Sequence, residues 1–172
     1  MINAFLMTNV PKHVIAESTN LRGTYEGAHI FNVKASADID NGKLVDLENA
    51  KYESNEYYTM VEPTATSRVG LIISVPIGPD ETPRKATLES NFYNGEGEIM
   101  RVYDLVRGDR FTISENGISG VDPAKGVYVV ADGYDIKAQT AKPSNVGFYG
   151  EIIEKIVRSG GVFWKIIVRK NG

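Results

Sequence analysis

Apolar and polar residues alternate with a period of two along several short stretches of this chain, which is the spacing of half-buried β-strands. Phe31, Val33, Ala35, Ala37 and Ile39 interleave with Ile30, Asn32, Lys34, Ser36 and Asp38. Val69, Leu71, Ile73 and Val75 repeat the pattern before Pro76. The clearest stretch is residues 150–169, GEIIEKIVRSGGVFWKIIVR, two apolar runs around Ser159-Gly160-Gly161. That is the pattern of a β-hairpin. With Ser159-Gly160 as the loop, Val157 faces Val162, Ile156 faces Phe163, Glu154 faces Lys165 and Ile153 faces Ile166. Apolar then meets apolar and acid meets base. A one-residue slip sets Lys155 against Ile166 and Ile156 against Lys165, so it is disfavoured. Val162, Trp164, Ile166 and Val168 share one face of the second strand.

Other elements follow from turn signals. Asp40-Asn41-Gly42 predicts a three-residue loop with Gly42 at positive φ, pairing Ala37 with Val45 and Ala35 with Leu47. Tyr52, Tyr57, Tyr58 and Met60 lead into a strand ending near Glu62. Residues 76–85, PIGPDETPRK, form a loop or linker. Residues 99–106 and 110–114 read as strands around the turn Arg107-Gly108-Asp109. Residues 117–126 read as loop and residues 127–131, VYVVA, as a short buried strand. No segment longer than about ten residues shows a helical apolar period, so little helix is expected. Short strands with turn signals roughly every 8–12 residues predict an all-β fold. The expected plan is an extended arm over residues 1–24, a hairpin-rich region over 25–85, and a small β-barrel over 86–172 closed by the C-terminal hairpin. The arm carries Phe5, Leu6, Met7, Val10, Val14 and Ile15, more apolar matter than a solvated tail requires, and these are the candidate partner-binding residues.

Composition narrows the function. The 172-residue chain is 42% hydrophobic, has a net charge of −3 and contains no cysteine. It can fill a core, shows no overall basic footprint for nucleic acid, and has no thiolate or disulfide chemistry. The opening MINAFLMTNVPKH lacks the features of a signal peptide, and no apolar run approaches the roughly 18 residues of a membrane span, so cytoplasmic synthesis is expected. The two histidines, His13 and His29, are remote in sequence from each other and from any evident nucleophile. Asp38-Ile39-Asp40-Asn41-Gly42 has glycine where a calcium loop needs its fifth ligand, and reads as a turn. Arg107-Gly108-Asp109 reads as a turn rather than an adhesion motif, so Asp109→Ala is expected to change little. No catalytic residue, metal ligand or cofactor is assigned. Arg101, Arg107, Arg110, Lys155, Arg158, Lys165, Arg169 and Lys170 cluster in the C-terminal half with Tyr103, Phe111 and Trp164. The alternative reading they support is a small-barrel module binding nucleic acid or a glycan through Trp164 and Tyr103.

Three segments carry a resemblance: residues 35–47 (ASADIDNGKLVDL), 89–114 (ESNFYNGEGEIMRVYDLVRGDRFTIS) and 150–168. Together with the arm they resemble the small β-rich head decoration (cement) proteins of tailed phages. The likeness spans about half the chain and contains no catalytic motif. It implies a non-enzymatic virion protein on the outer capsid surface, with major capsid protein subunits and further copies of itself as partners and with no membrane or nucleic-acid role.

Overall fold

The computed structural model describes residues 12–54, 56–75, 89–158 and 161–172. The architecture is all-β, as the alternation predicts, and the helical pieces among the described residues are 3-10 turns of three residues each. One sheet has seven strands. In spatial order they are β1 (Ala16–Asn20), β8 (Arg110–Ser114), β13 (Gly161–Asn171), β12 (Phe148–Arg158), β10 (Tyr128–Asp132), β11 (Asp135–Gln139) and β9 (Ile118–Gly120). The other has six: β3 (Leu44–Asp46), β6 (Val69–Ile72), β7 (Ile99–Asp104), β2 (Ile30–Lys34), β5 (Tyr57–Thr59) and β4 (Tyr52–Ser54). All pairings are antiparallel except β9 with β11 and β2 with β5.

The two sheets share one apolar core. Leu44, Val69, Leu71 and Tyr103 from the six-stranded sheet join Phe111, Ile113, Val129, Ile136, Phe148, Ile152, Trp164, Ile166 and Val168 from the seven-stranded one. Burial of so much apolar area is the main favourable term of such a fold. The six-stranded sheet is the barrel-like element, curled into a half-barrel, and its second face encloses Val33, Ala35, Ile39, Val45, Ile72, Met100 and Val102. Covered on both faces, β6 is buried at every position. Its Gly70 is required there, since a Cβ would stand 2.4 Å from Val102 Cγ1. The strands do not divide at residues 85 and 86: β1 lies in the same sheet as the C-terminal hairpin, and β7 lies between β6 and β2.

The terminal hairpin sits in the middle of the seven-stranded sheet. Val157 faces Val162, Ile156 faces Phe163 and Glu154 faces Lys165, as expected. Below that point the expected register fails by one residue: Ile166 faces Ile152, not Ile153. A β-bulge at Ile153 absorbs the extra residue, and it puts Ile152 (0% exposed) into the core.

The Asp40-Asn41-Gly42 hairpin is also corrected. Gly42 does hold positive φ, at 79°, but β3 pairs with β6 rather than folding back on β2. The Asn41 side chain exchanges two 2.9 Å hydrogen bonds with the Ser74 backbone, and Gly42 donates to Ile72 O at 2.8 Å. The turn thus sets β3 beside β6 instead of folding it back on β2. Three strands went unrecognised in the sequence: β1, which lies in the expected arm, and β9 and β11, which pair in parallel across residues 118–120 and 136–138.

Ile166→Asp should destabilise by about 4 kcal/mol or more, because the carboxylate would enter a fully buried site without a counter-charge. In urea unfolding, Ile152→Ala should cost about 3 kcal/mol and the half-buried Ile153→Ala about 1 kcal/mol or less. The reverse ranking would restore the register with Ile153 in the core.

Candidate functional site

Of the candidate partner-binding residues, Phe5, Leu6, Met7 and Val10 lie outside the described residues. Val14 and Ile15 are corrected: they are 4% and 7% exposed and are buried in this chain's own interior. Each is held by the body around it. Val14 N donates to Asp40 Oδ2 at 3.1 Å, Ile15 N donates to Ser114 Oγ at 2.9 Å, and Ser114 N returns a 2.9 Å bond to Ile15 O. His13 Nδ1 lies 2.8 Å from Asp40 Oδ1, and its ring stacks on Tyr93 at 5.1 Å. Ala16 and Glu17 then pair with Ile113 and Thr112 as β1. The expected arm of residues 1–24 is therefore integral to the body from His13 onward. An open groove of about 250 Å³ runs beside this root, between residues 15–18 and residues 73–75.

A cluster of ionisable side chains among the described residues stands at the end of β7. Asp104, 1% exposed, accepts Arg68 Nε at 3.1 Å and a second guanidinium N–H, and its Oδ2 lies 3.1 Å from His29 Nδ1. The other ring nitrogen of His29 faces Glu26 at 3.6 Å, and Glu26 also accepts Arg22 Nε at 3.0 Å. A histidine between two carboxylates has the outline of a proton relay. A relay needs a hydroxyl or thiol beyond the imidazole, and here that place is taken by Glu26. The nearby Thr24 hydroxyl donates to Leu21 O at 2.6 Å. The cluster is an electrostatic clamp joining the turn after β1 to β6 and β7.

Asp109 is the second correction. The Arg107-Gly108-Asp109 turn forms, with Gly108 at φ 99°. It does not reverse the chain within one sheet; it passes from β7 in one sheet to β8 in the other. Asp109 is only 5% exposed. Its Oδ2 accepts Val106 N at 3.0 Å and its Oδ1 accepts Arg22 N at 2.9 Å. Burial raises its carboxyl above the ordinary 3.8, against the pull of those two N–H groups and of His29. Asp46, 1% exposed, moves the other way. Burial pushes it up, but bonds from the Ser67 hydroxyl, the Asn49 side chain and the backbone N–H groups of Asn49 and Glu48 outweigh that and hold it below 3.8.

The aromatic face expected for nucleic acid or glycan is not on the surface. Trp164 and Tyr103 are 4% and 7% exposed. Lys155 lies over the Trp164 ring at 5.1 Å, and the indole N–H finds no acceptor among the described residues. Three of the basic residues are matched to acids: Lys165 to Glu154, Arg169 to Glu151 and Arg158 to Glu17. Among the described residues no group of three or more histidines and carboxylates has the arrangement of a metal site, and no helix is long and apolar enough to cross a membrane. No family model, curated protein or solved structure matches this chain.

Asp109→Ala should cost about 2 kcal/mol in urea unfolding at neutral pH, because two partly buried N–H groups lose their acceptor. Asp46→Asn should cost about 1–2 kcal/mol at pH 7. Its pH dependence has a definite sign. A carboxyl held below 3.8 stabilises the folded state above that pH, and the contribution fades as pH falls through the folded value. The gap between wild type and Asp46→Asn should therefore close on acidification below pH 3.8. The raised Asp109 works in the opposite sense, taking up its proton above 3.8.

Proposed function

We propose that this chain is a virion structural protein of the head decoration type, binding the outer surface of a phage capsid and stabilising it without catalysing a reaction. The observation that carries the reading is the root at His13–Ile15. It is tied to Asp40 on the six-stranded side and to Ser114 on the seven-stranded side. The apolar segment that precedes it in sequence, with Phe5, Leu6, Met7 and Val10, is thereby delivered from a fixed point on a rigid body. A ligand that binds only the assembled shell stabilises it by mass action, and stiff surface with an anchored segment is all that this task requires. The chemistry of a relay or metal centre is not needed, and the polar clusters of the body are engaged in holding its own strands and turns. The resemblance of residues 35–47, 89–114 and 150–168 to decoration proteins points the same way. The nucleic-acid or glycan reading has lost its named aromatic contacts to the core.

Co-sedimentation with empty expanded heads tests the proposal. The full chain should pellet with the heads, and a chain lacking residues 1–11 should keep its melting temperature and bind at least about tenfold more weakly. A full chain that stays in the supernatant, or a truncation that binds equally well, would contradict it.

A further inference from the structure

The C-terminal hairpin is longer than the sheet that flanks it. On its outer side β12 pairs with β10 only from Tyr149 to Glu151. Ile152 adds two backbone bonds, donating to Val127 O at 2.9 Å and accepting from Gly126 N at 2.7 Å. Beyond that point no described strand lies beside β12, while β13 still pairs with it up to Arg158. Residues 153–158 therefore present an open strand edge about 20 Å long. Such an edge is a template for another strand, and soluble proteins commonly guard it with projecting cations. Here both candidate guards are folded back: Lys155 lies over Trp164 at 5.1 Å, and the Arg158 guanidinium lies 4.2 Å from the Phe163 ring centroid while bonding Glu17 at 2.8 Å. Val157, beside them, is 67% exposed.

We infer that this edge pairs with the same edge of a second copy, antiparallel about a two-fold axis at Ile156. The sequence Ile153-Glu154-Lys155-Ile156-Val157-Arg158 selects that register. Centred on Ile156, each Glu154 faces Arg158 of the second copy, Ile156 faces its own counterpart, and Lys155 faces Val157. Centring on Lys155 sets two lysines opposite one another. Shifting the axis between Ile156 and Val157 sets Lys155 against Arg158, and shifting it between Lys155 and Ile156 sets every charge against an apolar residue. Cross-strand pairs of opposite charge favour the first arrangement, and like charges disfavour the alternatives. Arg158 and Glu154 are exposed and held within the chain by Glu17 and Lys165, so on pairing each turns from that partner to the second copy. A two-fold axis through one strand makes the contact isologous and closed, giving a dimer rather than a fibre. This inference stands apart from the head-binding reading.

Sedimentation equilibrium on the full chain, up to a concentration on the order of 1 mM, tests it. One strand pair is a small interface, so dimer should form with a dissociation constant on the order of 100 µM. Glu154→Arg and Arg158→Glu should each weaken it at least about tenfold, since each creates two like-charge pairs. The double variant should recover the wild-type value, and an equimolar mixture of the two single variants should form the heterodimer. Val157→Lys, at an exposed site that tolerates substitution, should abolish the dimer with an unchanged melting curve, and it decides the matter if a charge variant fails to fold. A chain that remains monomeric throughout, or a dimer indifferent to Val157→Lys or to the charge exchange, would overturn the inference.

Discussion

The structure depends on satisfying backbone groups where the chain passes between its two sheets. Crossovers next to a shared core remove N–H groups from water, and an unpaired one costs a large part of a domain's net stability. Short polar side chains meet that demand. Asp109 takes Arg22 N and Val106 N, one at each of the crossovers β1 to β2 and β7 to β8. The same device recurs where the chain enters β1, with Asp40 taking Val14 N and Ser114 taking Ile15 N, and between β3 and β4, where Asp46 takes the N–H groups of Glu48 and Asn49. Asn171 serves the far end in the same way, accepting from Val69 N at 2.8 Å and donating to Leu105 O at 2.7 Å. The apolar core drives association of the sheets, Asp109 braces both crossovers, and the other side chains fix the segments that enter and leave the strands.

The same requirement explains what the sequence could and could not show. Strand identity follows from alternation, and alternation is local, so residues 30–34, 69–72, 110–114 and the terminal hairpin were legible. Strand partners are not local. Asp-Asn-Gly is a good reversing turn in isolation, yet Asn41 spends its amide on Ser74, 33 residues away, and the chain goes forward. The bulge at Ile153 was invisible because Ile152 and Ile153 are chemically identical, and only the packing decides which enters the core. β11 lies in the stretch DIKAQ, where the buried Ile136 and Ala138 do alternate with polar residues; the neighbouring Gly133 and Gln139 drew attention to turns instead.

Site residues followed a similar rule. An aspartate in a Gly-Asp turn is normally solvated, and nothing within Arg107-Gly108-Asp109 signals that the turn is covered by the segment around Arg22. Val14 and Ile15 were visible as apolar, but the partner they bury against belongs to the same chain. Their neighbours from Ala16 to Asn20 do form a strand, and a single β-branched residue, Thr19, is the only local clue to it. For function, the consequence is that the polar groups most suggestive of chemistry, the Asp104–His29–Arg68 cluster among them, have structural bonds to account for their positions.

Residue-resolved hydrogen exchange tests this account most directly. The amides of Val14, Arg22 and Val106 lie outside the strands and donate to carboxylates in the described structure. If side-chain acceptors fix the crossovers, these amides should exchange nearly as slowly as those of Phe111 and Ile166 in the core strands. Exchange near the rate of an unstructured chain at those positions, with the core strands still protected, would contradict it.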